Sequence, residues 1–358
     1  MLMFERVTAA SSLHSRRLTA QLLAGRPARS PLAVTERLLA IQAQDPRGAR
    51  LAIRARSAGV TAADIDRELT VERSLVITTL NRGTLHLVRS EDYPLLQSLT
   101  TPPLLNASTA RLARDGIDPD TSARAVDLIE RSIAQDGPLT RAQLRERLER
   151  AGIAHADGAL AHLVFRASVE GRIVRGPVIG RHHAFARVPD WLSPAPPPPR
   201  ETALAELARR YLAGHGPASD RDLSRWAGLP LRDARTGLGR IARELRELPG
   251  GLVDLARRAR AAPLPEPRLL GAFEPLLLGW CSRVDVLGAD EAHVVTGGVF
   301  RNFALVEGRG VAVWRLKGAA VQIDPFTELD GDIAAALARD AKAVRAFLRL
   351  TDATNAAL

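Results

Sequence analysis

Two glutamines are the residues of this sequence whose types and spacing best suit chemistry at an uncharged site. Gln42 and Gln44 stand two apart at the end of an apolar segment, directly before Asp45-Pro46. Because proline restricts the preceding residue to extended backbone, the helix before it should end near the glutamines. Residues two apart in an extended segment project to one side, so two carboxamides could face one ligand. On spacing alone, the simpler interpretation is favoured: polar side chains at a helix end are usually solvated.

Other kinds of chemistry find little support in the sequence. It has no phosphate-cradling glycine loop, no dinucleotide-type glycine pattern and no kinase motif set. His182-His183 lacks the spacing of metal-ligating histidines, and no cluster of carboxylates and histidines suggests the metal site of a nuclease. Cys281 is a single cysteine and is predicted to be a core residue. We therefore expect no metal and no cofactor.

The net charge favours a polyanionic partner. Among 358 residues, 50 are Lys or Arg and 40 are Asp or Glu. A GC-rich genome would explain why these cations are almost all arginine, but it would not explain their excess, so we expect a nucleic-acid partner. No apolar run approaches the roughly 18 residues of a membrane span. Met1–Leu13 lacks the pattern of a secretory signal, and a cytoplasmic location is expected.

Two proline-rich segments, Ser193–Pro199 and Ala262–Pro267, are typical of linkers because they cannot continue helices. These linkers and the hydrophobic periodicity of the segments around them predict four units, over residues 1–122, 123–192, 200–260 and 268–358. Helices are predicted over residues 33–41, 61–69, 123–134, 141–151, 160–170, 201–211, 220–226 and 231–245. Hairpins are predicted over residues 75–88, 172–188 and 248–255. Helices followed by a hairpin are the order of a winged-helix unit.

The last unit changes to strands. These are predicted over residues 276–280, 300–306, 311–316 and 320–323, with a closing helix over 331–350. The predicted fold class is therefore α+β: tandem winged-helix (helix-turn-helix) units followed by a small C-terminal β-barrel or sheet domain.

Four stretches together resemble the AlkZ-like winged-helix DNA glycosylases. They are IQAQDPRGA (Ile41–Ala49), NRGTLHLV (Asn81–Val88), FEPLLLGW (Phe273–Trp280) and GGVFRNFALVEGRGVAVWR (Gly297–Arg315). The resemblance implies three winged-helix units and a C-terminal β-domain around duplex DNA, with a glutamine-apolar-glutamine motif at the catalytic centre.

Gln42, Ala43 and Gln44 match that motif position by position. A second branch of the family has aspartate at the last position, so Gln44 groups this chain with the antibiotic self-resistance type. There are two departures from the expected pattern: Ser282 replaces an acidic residue before Arg283, and Ala43 is smaller than the usual middle residue.

The resemblance implies a monofunctional DNA glycosylase for bulky N7-alkylguanine, able to unhook interstrand crosslinks. Alkylation at N7 makes the base cationic and a good leaving group, so amide carbonyls that position a water and support an oxocarbenium-like sugar could suffice. Asp45 is an alternative base, although an acidic residue before proline more often caps a turn. The expected partner is double-stranded DNA, bound by a monomer without an obligate protein partner.

Alternative functions and the DNA contacts stay open. A non-catalytic winged-helix regulator or lesion-binding shield would bind DNA without releasing a base, since fold does not establish function. A nuclease is disfavoured. The DNA contacts are candidates whose alternative role is structural or a solvated basic face. They are Arg47, Arg82, His86, Arg172, Arg175, Arg181, His182, His183, Arg301 and Arg309.

Overall fold

The protein mixes helices with antiparallel sheets along its whole length. The computed structural model describes residues 13–153, 158–179, 182–258 and 260–349. The first helical segment, α1, covers residues 13–20. The helices that follow are α2 (Pro31–Leu38), α3 (Pro46–Arg54), α4 (Ala62–Thr70), α5 (Tyr93–Thr100), α6 (Pro102–Arg114), α7 (Pro119–Asp136), α8 (Arg141–Arg150), α9 (Ala159–Val169), α10 (Val188–Trp191), α11 (Arg200–His215), α12 (Asp220–Ala227), α13 (Leu231–Arg240), α14 (Pro275–Leu278), α15 (Val284–Leu287), α16 (Glu291–Val294) and α17 (Gly331–Phe347).

The strands form two larger sheets and two small ribbons. They are β1 (Ile41–Gln42), β2 (Leu75–Thr79), β3 (Leu85–Arg89), β4 (Ile173–Ile179), β5 (His182–Arg187), β6 (Leu245–Leu248), β7 (Leu252–Leu255), β8 (Arg268–Leu270), β9 (Val295–Thr296), β10 (Val299–Phe300), β11 (Phe303–Val306), β12 (Arg309–Lys317) and β13 (Ala320–Pro325). One sheet has the order β1-β3-β2-β4-β5 and the other β13-β12-β11-β8, while β6-β7 and β9-β10 are ribbons.

Local capping signals explain where many of the helices begin. Thr61 begins α4 and Ser219 begins α12, each in a capping box with an aspartate three residues on, and Thr140 does the same for α8 with Gln143. Each hydroxyl accepts a backbone N–H that the helix itself cannot satisfy. The predicted order of helices followed by a hairpin is confirmed in all three N-terminal segments.

The first and second hairpins share one sheet. β2 and β4 pair antiparallel through Ile77 and Arg175, so the five-stranded sheet crosses the predicted boundary between residues 122 and 123. The sequence did not predict this junction, because alternation within a strand does not identify which strand will lie beside it. The junction brings the glutamine segment and the second hairpin together.

Two predictions about the C-terminal part are wrong, a strand over residues 276–280 and a core position for Cys281, which is exposed. Of the two forms predicted for this domain, a barrel or a sheet, the structure has the sheet, which is open. The apolar segment 276–280, predicted as a strand, lies largely in α14, because the Glu274 carboxylate accepts the Leu276 N–H and Pro275 occupies the first turn. A short apolar run cannot distinguish a strand from a buried helix. The other predicted strands and the closing helix are confirmed.

Long-range contacts join the C-terminal part to the rest of the chain. The indole N–H of Trp280 donates to the His215 carbonyl at 2.9 Å, and the Tyr211 hydroxyl donates to the Gly279 carbonyl at 2.7 Å. The Arg56 guanidinium, wholly buried, pairs with the buried Glu274 carboxylate. No helix in the described part of the chain is both long enough and apolar enough to cross a membrane.

Candidate active site

The glutamine motif lies on an edge strand of the five-stranded sheet. β1 pairs with β3, and Gln42 is opposite His86. Ile41 and Ala43 are buried in the core, at 0% and 2% exposure. The residue between the glutamines is therefore apolar because its side chain packs into the core while the backbone stays extended. The predicted helix before the glutamines is present, but α2 ends at Leu38 and not at residue 41, and Ile41 begins β1 instead.

Gln42 is buried and bound to an arginine. Its carbonyl Oε1 accepts a hydrogen bond of 2.9 Å from Arg82 Nη2, and Arg82 Nη1 donates to the Trp226 carbonyl in α12. Arg82 lies in the 3-10 turn Asn81–Gly83 with φ of 58°, in the left-handed region. Burial, followed by the nearby Arg225 charge, lowers the pKa of Arg82 to about 10, so it remains a cation at neutral pH.

Gln44 is exposed and lies against the backbone of Leu85. With its amide nitrogen toward the Leu85 carbonyl, the carboxamide makes two hydrogen bonds of 3.3 Å, one to that carbonyl and one from the Leu85 N–H. It also lines a pocket of about 180 Å³ between the sheet and α9. Thr78 lines the same pocket, and its buried hydroxyl has no hydrogen-bond partner among the described residues.

Cations surround this pocket. Arg175 and Arg141 both line it, and the Arg175 guanidinium lies 4.5 Å from the centroid of the Phe185 ring. Burial, with the charge of Arg141, lowers the pKa of Arg175 to about 10. His183 lies close enough to Arg175 and Arg50 for their charges to act on it, and burial is the main cause of its lowered pKa. The pocket therefore combines neutral hydrogen-bonding groups with a positive field.

Asp45 caps the helix that follows the motif. Its Oδ1 accepts hydrogen bonds from the N–H of Arg47 at 2.8 Å and of Gly48 at 3.3 Å, at the start of α3. Pro46 occupies the first turn, where its missing N–H costs nothing. The capping role that the sequence offered as one alternative for Asp45 is thus present, and it holds the backbone directly after Gln44.

The remaining candidate DNA contacts lie in different settings. His86 is only 2% exposed, its Nδ1 lies 3.0 Å from the Thr84 carbonyl, and burial lowers its pKa to about 3. Arg172 pairs with Glu130, whereas Arg47, Arg301 and Arg309 are exposed. Arg181 and the side chain of His182 lie outside the described residues.

Some residues around the motif were not identified from the sequence. Thr78, Phe165 and Ser168 line the pocket, as does Arg141, the first residue of α8. Their positions depend on how α8, α9 and the sheet pack together, which no local pattern states. Trp226, whose carbonyl accepts from Arg82, is likewise distant in sequence from Gln42.

A larger cavity lies apart from the glutamine motif. A cavity of about 590 Å³ between α3, α17 and β8 has side chains that already pair with each other, including Arg54 with Asp340. Within the described ranges, no group of three or more His, Cys, Asp or Glu residues is placed to hold a metal ion.

Comparisons with known proteins agree with this description. A model of the family described as DNA glycosylase AlkZ-like matches residues 35–347. A solved structure of the Streptomyces sahachiroi DNA glycosylase AlkZ is similar, with a TM-score of 0.77 and 25% identity, over 94% of this chain and 96% of that one. A comparison with curated protein sequences found no match. Because the family match spans nearly the whole length and the mixed fold is shared, the chain belongs to the AlkZ-like DNA glycosylase family.

Proposed function

We propose that this DNA glycosylase hydrolyses the N-glycosidic bond of bulky N7-alkylguanine in double-stranded DNA. The observation that carries the proposal is the pair Gln42 and Gln44, with Gln44 at the edge of a cation-rich pocket. Neutral carboxamides suit a substrate that is already activated, because N7 alkylation places the positive charge on the base and makes it a good leaving group. The pair would act by positioning and by hydrogen bonding, without a group of shifted pKa.

The reaction needs a water molecule and support for a developing cation. The C1′–N9 bond breaks with its electron pair passing to the base, water oxygen bonds to C1′, and the water's proton passes to solvent. Gln44 suits the water, because its carbonyl has a second lone pair besides the one directed at the Leu85 N–H. Asp45 would stay a capping residue and not act as the base.

We assign DNA binding to the three helix-and-hairpin groups, acting as winged-helix units of a monomer. Arg175 and Arg141, beside the pocket, would contact phosphates of the damaged strand. Exposed Arg47, Arg301 and Arg309 remain candidate contacts, and so do Arg181, His182 and His183. Arg82 and His86 are assigned to the interior of the site, because Arg82 binds Gln42 and His86 is buried.

The proposed product is an abasic site without strand cleavage. Glycosylases that also cut the strand use an amine nucleophile, and no lysine is among the residues that line the pocket beside Gln44. Lys317 ends β12 and Lys342 lies on α17, both exposed. The same reaction at one guanine of an N7–N7 crosslink would unhook it, which suits self-resistance to a DNA-alkylating natural product.

The test is base release from a duplex with one site-specific bulky N7-alkylguanine. The wild type is compared with Gln42→Ala, Gln44→Ala and the double variant, and spontaneous depurination is subtracted. We expect abasic sites well above background for the wild type, and losses of about 10²-fold or more for the single variants. Thermal unfolding verifies that each variant is folded.

The double variant tests whether the two carboxamides act as a unit. If they do, the double loss will be smaller than the product of the single losses. If the wild type binds the duplex but releases no base from several N7 adducts, the proposed substrate is wrong. Binding with no release from any alkylated base would instead favour a lesion-binding shield.

A further inference from the structure

The carboxamide of Gln42 has a defined polarity. The group 2.9 Å from it is the Arg82 guanidinium, which has N–H donors and no acceptor, so the atom facing Arg82 is the carbonyl oxygen. The amide nitrogen therefore faces away from Arg82. No described residue accepts a hydrogen bond from Gln42 Nε2, and Gln42 is 7% exposed at the end of β1. Arg82 occupies one lone pair of the carbonyl oxygen, whereas both N–H donors of the amide nitrogen are without a partner among the described residues.

Arg82 is held in place from the other side. Its second nitrogen, Nη1, donates to the Trp226 carbonyl at the C-terminal end of α12. The approach of α12 requires a glycine two residues later, because a Cβ on Gly228 would lie 2.9 Å from the Arg82 backbone nitrogen. The guanidinium thus connects the third helix-and-hairpin group to the glutamine motif.

Arg82, like Arg175, has no carboxylate partner among the described residues, in contrast to several other arginines of the interior. Arg56 pairs with Glu274, Arg258 with Asp254 and Arg89 with Asp92. The two acceptors of Arg82 are neutral carbonyls, and its nearest charge of note is another cation, Arg225. A desolvated cation without a counter-charge is costly. The contact between the Arg82 guanidinium and Gln42 offers a functional reason for keeping this unpaired cation.

We propose that Arg82 is a positioning residue that fixes Gln42 as a hydrogen-bond donor to the substrate. The guanidinium holds and polarises the Gln42 carbonyl, and the Nε2 N–H groups bind an acceptor atom of the leaving purine, a carbonyl oxygen or a ring nitrogen. This inference rests on the proposed function. It revises the sequence-based expectation that both glutamines act through their carbonyls, and leaves Gln44 as the acceptor that positions water.

The chemistry of base loss fits this polarity. As the C1′–N9 bond breaks, its electron pair moves onto the base, so the acceptor atoms of the purine become stronger acceptors in the transition state. A donor polarised by a neighbouring cation then stabilises the transition state more than the ground state.

Gln42→Glu is the variant that separates a donor from an acceptor. Glutamate keeps an oxygen toward Arg82 but has no N–H groups. If Gln42 donates, single-turnover base release from the N7-alkylguanine duplex falls by about 10²-fold, close to Gln42→Ala. A Gln42→Glu enzyme as fast as the wild type, or faster, would mean that Gln42 acts through its carbonyl, and the proposal would be overturned. Gln135→Glu, an exposed position on α7, controls for the added charge.

The role of Arg82 is tested by measuring the rate of base release separately from the affinity for the duplex. With Arg82→Ala, we expect the single-turnover rate at saturating enzyme to fall, while the dissociation constant for the duplex changes little. Millimolar guanidinium should restore part of the rate, which it would not do for a variant that is merely misfolded. Arg225→Ala, which removes a neighbouring charge but no contact with Gln42, is the matched control.

The outcomes separate this proposal from the proposed function. An Arg82→Ala variant with an unchanged rate contradicts the proposal that Arg82 positions Gln42. So does a variant that binds the duplex more weakly but has an unchanged rate at saturating enzyme. If the wild type releases no base from N7-alkylguanine, the proposed substrate fails first, and the same variants are then compared on whichever alkylated base is released.

Discussion

Single residues of this protein take roles that depend on what surrounds them. Gln42 and Gln44 are chemically identical and two positions apart, yet Gln42 is buried on Arg82 whereas Gln44 is exposed at a pocket. Arg172 and Arg175 are both cations of the second hairpin region, but Arg172 pairs with Glu130 and Arg175 lies over an aromatic ring. These differences in partner lead to different expectations for each substitution.

Arg175→Ala should weaken DNA binding. Because we assign its guanidinium to a phosphate, its loss should reduce the slope of log K against log salt by about one. Arg172→Ala is the matched control, since Arg172 already has a carboxylate partner and should change that slope less. Fluorescence anisotropy with undamaged duplex at several salt concentrations measures both. Equal slopes for wild type and Arg175→Ala would refute the assignment.

His86 and His215 should make the fold sensitive to acid. Burial lowers the pKa of each from 6.5 to about 3, so between these values the unfolded state binds more protons than the folded state. Stability is therefore complete above about pH 6.5 and is lost as the pH falls toward 3, by up to about 2 kcal/mol for each histidine between pH 7 and pH 5.

The comparison is the free energy of unfolding in urea at pH 7 and at pH 5, for the wild type and for His86→Asn. Asparagine keeps a donor for the Thr84 carbonyl but does not titrate in this range. The His86→Asn variant should lose less stability than the wild type on acidification. His293→Asn, at an exposed position, should lose as much as the wild type. A pH dependence unaffected by His86→Asn would contradict the buried, neutral histidine.

At the scale of elements, the turn between β1 and α3 holds the glutamine segment. Asp45 caps α3, and Ala43 donates its N–H to the Leu85 carbonyl at 2.7 Å, so the backbone of Gln44 is anchored on both sides. Gln44 thus lies between the Asp45 cap of α3 and the pairing of β1 with β3. Damage to the cap should therefore affect both stability and rate.

Asp45→Asn and Asp45→Ala distinguish a cap from a base. Asparagine retains the capping oxygen, so we expect nearly normal stability and base release, whereas alanine should cost about 1 kcal/mol of stability and slow the reaction. Denaturant unfolding and single-turnover release are measured on the same preparations. A stable Asp45→Asn variant with little activity would show instead that the carboxylate is the catalytic base.

At the scale of the whole molecule, buried contacts between distant segments hold the site together. Arg56, directly after α3, bonds to Glu274 and to the Gln21 side chain. The backbones also meet closely, because a Cβ on Gly48 would lie 2.3 Å from the Ala272 carbonyl oxygen. The helix that follows the glutamines is therefore packed against the C-terminal part of the chain.

Glu274→Gln should destabilise the entire protein. Both side chains of the Arg56–Glu274 pair are 0% exposed, so removing one charge leaves the other buried without compensation, at a cost of about 3–5 kcal/mol. Glu146→Gln, which breaks an exposed pair with Arg150, should cost less than about 1 kcal/mol. The two variants are compared by denaturant unfolding. A Glu274→Gln protein as stable as the wild type would show that the pair is not needed.

Most of the local structure was predictable from the amino-acid sequence alone. Capping residues, prolines and strand alternation act over a few positions, and they correctly predicted the hairpins and most helices. The motif was identified through the resemblance to the AlkZ-like family, since the spacing of the two glutamines alone favoured solvated side chains. The segment around Leu276 was mistaken for a strand, since an apolar run fits either element until Glu274 and Pro275 start a helix.

Which of these helices and strands contact each other depends on the packing of the folded chain. The pairing of β2 with β4, the Arg82 contact that orients Gln42 and the buried Arg56–Glu274 pair all join residues far apart in the chain. Such contacts depend on the shapes and charges of whole packed surfaces, and a local sequence pattern does not identify the distant residue that will contact it. The glutamine motif could therefore be recognised in the sequence, whereas the orientation of the Gln42 carboxamide could not be predicted.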